Sequence, residues 1–356
     1  PRFYGTSKLG EPDQDRRPEP TRINTKFSGQ LRDATHQNEA FGAAIKAGHG
    51  VLSLPCGYGK TTVSLSISSK LGYRTMIIVH KQFLADQWRE RIQQFCPGAT
   101  IGVVQQNKKE VDCDFVIAML QSLSLKEYNF NDFESIGTVI VDEAHHICAK
   151  VFSQSLFKIC PRHIYGLSAT PERKDGLTKV LHWFMGPTFF AVERKNQEQV
   201  EVFPVVFDSP NYRNPPPSMR NGKISMPNMI TELVEDRSRN KMLVELVKKA
   251  SAGSRQLLVL SDRRQHCEFL HQCFPKTSGL YMGGMKEAQL QESSKKKIIF
   301  ATFSQAHEGL DIPTLDTVIL ASPKSDITQS IGRIMRETKG KKNEPHIYDV
   351  HDPWSI

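Results

Sequence analysis

The sequence predicts an α/β chain built as two tandem domains, each a mostly parallel sheet flanked by helices. Three observations carry that expectation. Apolar, β-branched runs alternate with helical patterns through both halves, a glycine-rich segment directly follows the first such run, and a proline-rich stretch divides the chain. A length of 356 residues is enough for two cores of ordinary size. The expected boundaries are a disordered tail over 1–24, a first domain over 25–207, a linker over 208–228 and a second domain over 229–356.

Residues 1–24 are rich in Pro, Arg, Asp and Glu and poor in apolar side chains, a composition that buries too little surface to order itself. Val51 to Leu54 then reads as a short strand running into Pro55, Cys56, Gly57, Tyr58, Gly59, Lys60, Thr61 and Thr62. The glycines let backbone N–H groups fold around an anion, Lys60 can neutralise phosphates, and the Thr61 hydroxyl can complete a magnesium shell. The same letters in isolation would also describe a glycine-rich turn. Strands follow at Thr75 to Val79, Phe115 to Ala118, Thr138 to Val141 and Ile164 to Leu167, and Leu84, Trp88, Ile92 and Phe95 mark a helix between them.

The run ending at Val141 leads into Asp142 and Glu143. Carboxylates at the carboxyl end of a buried parallel strand face the crevice where open α/β sheets bind ligands. Asp142 is expected to hold magnesium through water, and Glu143 to polarise an attacking water. Val200 to Phe207 reads as an extended segment leading out of the first domain, and the prolines between 208 and 228 mark the break.

The second half opens with a helix through Ile230, Leu233 and Val234, continuing to Leu243, Leu246 and Val247, and carries strands at Gln256 to Leu260, Lys297 to Ala301 and Thr317 to Leu320. It has no phosphate loop of its own, so it is expected to close over the nucleotide of the first domain. Arg333 and Arg336 stand one helical turn apart and can reach one target, which suits charge stabilisation at a γ phosphate. A surface helix making salt bridges is the commoner fate of such a pair.

Composition narrows the remaining classes. A net charge of +9 suits a polyanionic partner. Seven cysteines with no C-x-x-C pair indicate neither a zinc ribbon nor a disulfide framework and fit a reducing compartment. No apolar stretch approaches bilayer-spanning length and no signal-peptide pattern opens the chain, so a soluble intracellular protein is expected. The first residue is Pro1 rather than Met, as in a fragment or processed product.

In this order, and nearly end to end from about residue 30 to residue 350, these segments resemble the superfamily 2 helicases and translocases, above all the XPB-type branch and the helicases carried by large DNA viruses. The phosphate loop matches Pro55 to Thr62, the DEAH-type box Asp142 to His145, and the coupling motif Ser168, Ala169 and Thr170; Ala301 to Pro313 and Gln329 to Arg336 resemble the fifth and sixth motifs. The resemblance implies two RecA-like domains with the nucleotide between them, ATP and Mg2+ as cofactors, and nucleic acid as partner, DNA before RNA. It implies an adenine-reading Gln37, a coupling role for His145, and Gly309 and Asp311 near the ribose or the partner domain. Backbone contacts to nucleic acid fall to His80, Lys81, Gln121, Ser122 and Thr302. Arg173 belongs to a charged loop where the XPB-type proteins carry an Arg-Glu-Asp element; Lys174 inverts the charge of its middle position. An RNA helicase, a duplex translocase that never separates strands, and an ATP-gated clamp with little turnover stay open as alternatives.

Overall fold

The computed structural model describes every residue except 1, 11, 56, 149, 170–175, 194–199, 209–224, 309–311, 325–326, 328–342 and 354–356. It divides into two compact units, Pro1–Lys195 and Asn196–Ile356. Each is a mostly parallel α/β sheet with helices against it, so the chain carries tandem RecA-like units.

In the first unit α1 (Arg2–Leu9), α2 (Gln37–Ala47) and β1 (His49–Ser53) are followed by α3 (Lys60–Leu71), β2 (Thr75–Val79) and α4 (Gln82–Phe95). Then come β3 (Ile101–Gln105), β4 (Lys108–Lys109), β5 (Phe115–Met119), α5 (Leu120–Leu125), β6 (Thr138–Val141), α6 (Lys150–Ser153), β7 (His163–Ser168), α7 (Thr178–Met185) and β8 (Thr188–Ala191). The strand order is β4-β3-β5-β2-β6-β7-β1-β8, and every pair is parallel except β3 with β4. β2, β5 and β6 are buried along their whole length. That is why their sequences read as continuous apolar runs rather than as an alternation.

The second unit contains β9 (Glu201–Val206), α8 (Met226–Glu235), α9 (Arg237–Ala250), β10 (Leu257–Ser261), α10 (Arg264–Gln272), β11 (Ser278–Tyr281), α11 (Glu287–Ser294), β12 (Ile298–Thr302), α12 (Phe303–Glu308), β13 (Thr317–Leu320) and β14 (His346–His351). Its order is β11-β12-β10-β13-β14-β9, parallel throughout.

Three boundaries differ from expectation. The tail is not structureless: Phe3 lies against His49 at 4.4 Å, Tyr4 meets Trp183 edge-on at 5.0 Å, and Arg17 donates to the carbonyls of Pro161 and Arg162 at 3.0 and 3.1 Å. A segment too polar to build its own core is held here by a few anchors on a core that already exists. The segment expected to leave the first domain is instead β9, which pairs with β14 in the second sheet over six residues. Pro204 fits there because an edge strand leaves one side unpaired. The expected linker also ends early, since α8 begins at Met226 with Ser225 as N-cap and Pro227 in the first turn, where a missing N–H costs nothing. The single helix read through Ile230 and Val247 is two, broken at Asp236, whose side chain accepts from Arg239 N at 2.7 Å.

A buried polar network underlies the second sheet. Asn240 donates Nδ2 to Val234 O at 2.8 Å, which turns its Oδ1 toward His266 Nε2 at 2.9 Å, so Nε2 carries the ring proton. Nδ1 is then left to accept from the Ser261 hydroxyl at 2.9 Å. Burial, with the Arg239 charge adding to it, pulls the imidazole down from 6.5 to about 4. The unfolded chain takes up the proton near 6.5 and the folded protein resists until about 4. Stability is therefore full above pH 6.5 and falls as pH drops through that window, by about 3 kcal/mol in total. Denaturant melts at successive pH values should show this loss, and His266→Gln should flatten it; a wild-type profile already flat down to pH 5 would refute the neutral assignment.

Candidate active site

Because the first sheet is parallel across β6, β7 and β1, their carboxyl ends emerge on one edge. Register fixes the alignment, with Ser53 beside Ser168 and Val141 beside Gly166. The phosphate-loop residues, Ser168 and Ala169, and Asp142 and Glu143 therefore share that edge although they are far apart in sequence. Leu54 N donates to Ser168 O at 3.2 Å, tying the start of the loop to the coupling motif.

The loop turns sharply before α3. Gly57 and Gly59 have φ of 87° and 82°, the left-handed region that glycine enters without penalty. Gly59 is constrained twice over, because a Cβ there would lie 2.4 Å from Gln37 Nε2. Lys60, Thr61 and Thr62 form the first turn of α3, and Pro55 and Tyr58 stand half-buried before it. Lys60 Nζ donates to Leu54 O at 3.0 Å, folding the ammonium back over the loop.

Gln37 is only 1% exposed. Its Nε2 donates to Tyr58 O at 2.9 Å and its Oε1 accepts from Arg32 N at 3.0 Å. Both ends of the amide are thus engaged by protein, and the residue expected to read adenine also braces the phosphate loop.

Asp142 lies just beyond β6, its N–H donating to Ile78 O at 3.0 Å. Its Oδ2 accepts from Trp88 Nε1 at 2.8 Å and its Oδ1 from Glu143 N at 3.0 Å. Burial first, and the neighbouring Glu143 second, hold its carboxyl above the usual carboxylate range, while the indole N–H and the Lys60 charge work against that rise. Glu143 has φ of 45°, an unusual and strained conformation for a residue with a side chain. Its Oε2 stands 3.5 Å from His145 Nδ1, and among the described residues no hydrogen bond reaches that oxygen.

Trp88 is the residue that sequence reasoning missed. Its spacing with Leu84 and Ile92 marks it as core, and it is indeed 2% exposed on the buried face of α4. The available signal was chemical: a buried indole N–H needs an acceptor, and strand-end carboxylates are natural ones.

Thr61 and Asp142 present a hydroxyl and a carboxylate, hard oxygens suited to Mg2+. Among the described residues no group of three or more His, Cys, Asp or Glu could hold a metal ion. One carboxylate and one hydroxyl nevertheless fit a magnesium site completed by substrate phosphates and water.

On the same edge, at the ends of β2 and β5, Gln121 Nε2 donates to His80 O at 2.6 Å. His80, expected from the resemblance to contact nucleic acid, is 7% exposed, and its ring lies 3.9 Å from that of His146. The half-buried Lys81 that follows occupies the N-cap position of α4 without a side-chain cap. The Ser122 hydroxyl accepts from Gln106 N at 3.0 Å. In the second unit Thr302 ends β12, its hydroxyl 3.4 Å from that of Ser304. Cys56, Thr170, Arg173, Gly309, Asp311, Arg333 and Arg336 lie outside the described residues. No helix among the described residues is long and apolar enough to cross a membrane.

Comparison with known proteins bears on this site. Residues 30–173 match the family model described as type III restriction enzyme, res subunit. A protein of Acanthamoeba polyphaga mimivirus with the provisional name ATP-dependent RNA helicase is 36% identical over 99% of this chain and 70% of its own length. A protein of Invertebrate iridescent virus 6 provisionally named a helicase is 31% identical over 93% of the chain and 78% of itself. A third, from African swine fever virus and again provisionally named an ATP-dependent RNA helicase, is 25% identical over 86% of the chain and 66% of itself.

Proposed function

Because the chain belongs to the superfamily 2 helicases of large DNA viruses, and is therefore a nucleic-acid-dependent ATPase, we propose that it couples hydrolysis of Mg2+-bound ATP to movement along, or unwinding of, a nucleic-acid strand. The observation that carries the site assignment is Asp142. It is a half-buried carboxylate gripped by Trp88 Nε1 at 2.8 Å, on the edge where the phosphate loop emerges.

In this reading the loop N–H groups from Gly57 to Thr62 cradle the phosphates and Lys60 neutralises charge on the β and γ groups. Mg2+, when bound by Thr61 and Asp142, supplies further neutralisation of the phosphates. Glu143 orients the attacking water; its uncapped Oε2 suits an acceptor role toward that water. Arg333 and Arg336 meet charge developing at the γ phosphate, and Gly309 and Asp311 meet the ribose side. Ser168, Ala169, Thr170 and His145 pass the state of the phosphate loop to the rest of the protein; the Leu54 to Ser168 hydrogen bond supports the first of these. Lys81, Gln121, Ser122, Thr302 and Arg173 engage the strand.

Phosphate contacts position a strand without distinguishing DNA from RNA unless a 2′-hydroxyl is read. The XPB-type resemblance speaks for DNA, whereas two relatives carry RNA helicase names. Steady-state ATPase rates without polymer and with single-stranded DNA, duplex DNA or RNA, run beside Glu143→Gln, test the reading. Stimulation of about tenfold or more is expected from at least one polymer, with a loss of about 10²-fold or more in the variant. The stimulating polymer names the substrate. A rate indifferent to all of them would overturn the motor and favour a clamp.

A further inference from the structure

We propose that the second unit carries a separate binding site for the phosphate backbone of nucleic acid, on the sheet edge opposite to Thr302. This rests on the reading of the chain as a nucleic-acid motor. Gln256, Lys297 and Asp316 each immediately precede a strand of the parallel sheet, namely β10, β12 and β13. They therefore mark its amino edge, and with their neighbours they line an open cavity of about 750 Å³.

Lysines dominate that edge. Lys295, Lys296 and Lys297 form the whole connection between α11 and β12, with Lys295 and Lys297 exposed and Lys296 half-buried. Among the described residues no carboxylate pairs with any of them, and the one acceptor of Lys297 Nζ is Gly253 O, at 2.9 Å. The connection is held in place: Gln256 Nε2 donates to Ser294 O and Lys296 O at 2.8 Å each. Asp316, the one acid of the lining among the described residues, is already satisfied by the Thr317 hydroxyl at 2.8 Å, Asn343 Nδ2 at 2.7 Å and the Arg255 guanidinium at 3.9 Å. The site is thus a rigid floor under three uncompensated ammonium groups.

Its chemistry selects the occupant. Among the described residues the lining offers hydroxyl, amide and ammonium groups beside the small apolar surface of Ile312 and Pro313, its Arg255 is already engaged by Thr317, the Glu344 carbonyl and His346, and no aromatic side chain takes part. A protein partner would call for buried aromatic or arginine anchors, whereas a phosphate backbone needs only positive charge and hydrogen-bond donors. β12 spans five residues between Lys297 and Thr302, about 16 Å. A strand long enough to pass from one edge to the other would be gripped twice, which separates long from short substrates.

The test is binding of a nucleic acid of about 40 nucleotides and one of about eight, at about 50 and 200 mM salt, to wild type and to Lys295→Ala/Lys296→Ala/Lys297→Ala. Affinity of the variant for the long strand should fall about tenfold or more. Its salt dependence should become shallower by about 2, since each lost single-strand phosphate contact removes about 0.7 from the slope. Binding of the short strand and the polymer-free ATPase rate should not change, and the triple Lys→Arg variant should recover the long-strand affinity. Equal losses at both lengths, or an unchanged long-strand slope, would overturn the site. So would inorganic phosphate or polyglutamate binding that depends on these lysines while nucleic-acid binding does not. Wild-type ATPase stimulated by nucleic acid alongside an unaffected triple variant would remove this inference alone; wild type blind to every nucleic acid would remove the proposed function with it.

Discussion

Lys60→Ala should lower ATP turnover by about 10³-fold or more while the protein stays folded. The size follows from what the residue is expected to do, since an ammonium poised on transferring phosphates acts where charge develops, and single electrostatic contributors of this kind are worth about 10² to 10⁵. The sparing of the fold follows from the geometry. Lys60 is half-buried at the first turn of α3, and the one described hydrogen bond of its side chain is to Leu54 O at 3.0 Å. Losing such a bond costs about 1 kcal/mol. The turn itself is set by Gly59 and its seat against Gln37, which the substitution leaves alone. Calorimetry and ATPase measurements on the same sample separate the two effects. Turnover within tenfold of wild type would break the assignment of the phosphate loop, and a collapse of the melting transition would mean that the lysine is structural.

Much of this was legible in the sequence because buried parallel strands and phosphate loops leave local signatures. Thr75–Val79 is visible as a strand because both its faces are covered, so no polar residue interrupts it. Gly59 and Lys60 are visible because a left-handed turn followed by a cation needs those residue types. Less visible were contacts that depend on pairing across the fold. β11, Ser278–Tyr281, went unread because its Ser and Gly leave no apolar run; it becomes a strand by aligning with Ile298–Ala301 of β12. β9 looked like the exit from the first domain because nothing local shows that its partner is β14, about 140 residues later. The packing of the His80 ring against that of His146 was equally out of sight, because it joins residues 66 positions apart. The bond from Trp88 to Asp142 joins residues 54 positions apart, and no spacing rule reaches that far.

The same long-range logic sets the largest stability effect, Asp352→Ala in the second unit. Arg239 is 0% exposed, and its guanidinium donates to Asp352 through Nε at 2.8 Å and Nη2 at 2.9 Å, with Nη1 on Ala321 O at 2.7 Å. This bidentate pair fixes the segment after β14 to α9. Removing the acid leaves a buried guanidinium with its main countercharge gone, a change that costs about 3–5 kcal/mol. For a unit of this size that corresponds to a fall of about 10 °C in melting temperature. The cost is one of unpaired charge rather than lost attraction, so Arg239→Met/Asp352→Leu should recover most of the stability that Asp352→Ala loses. Chemical denaturation of the three proteins decides it. A single substitution worth less than 1 kcal/mol would show that water reaches Arg239. A double variant as unstable as the single would show that the pair is needed for its geometry and not merely for its neutrality.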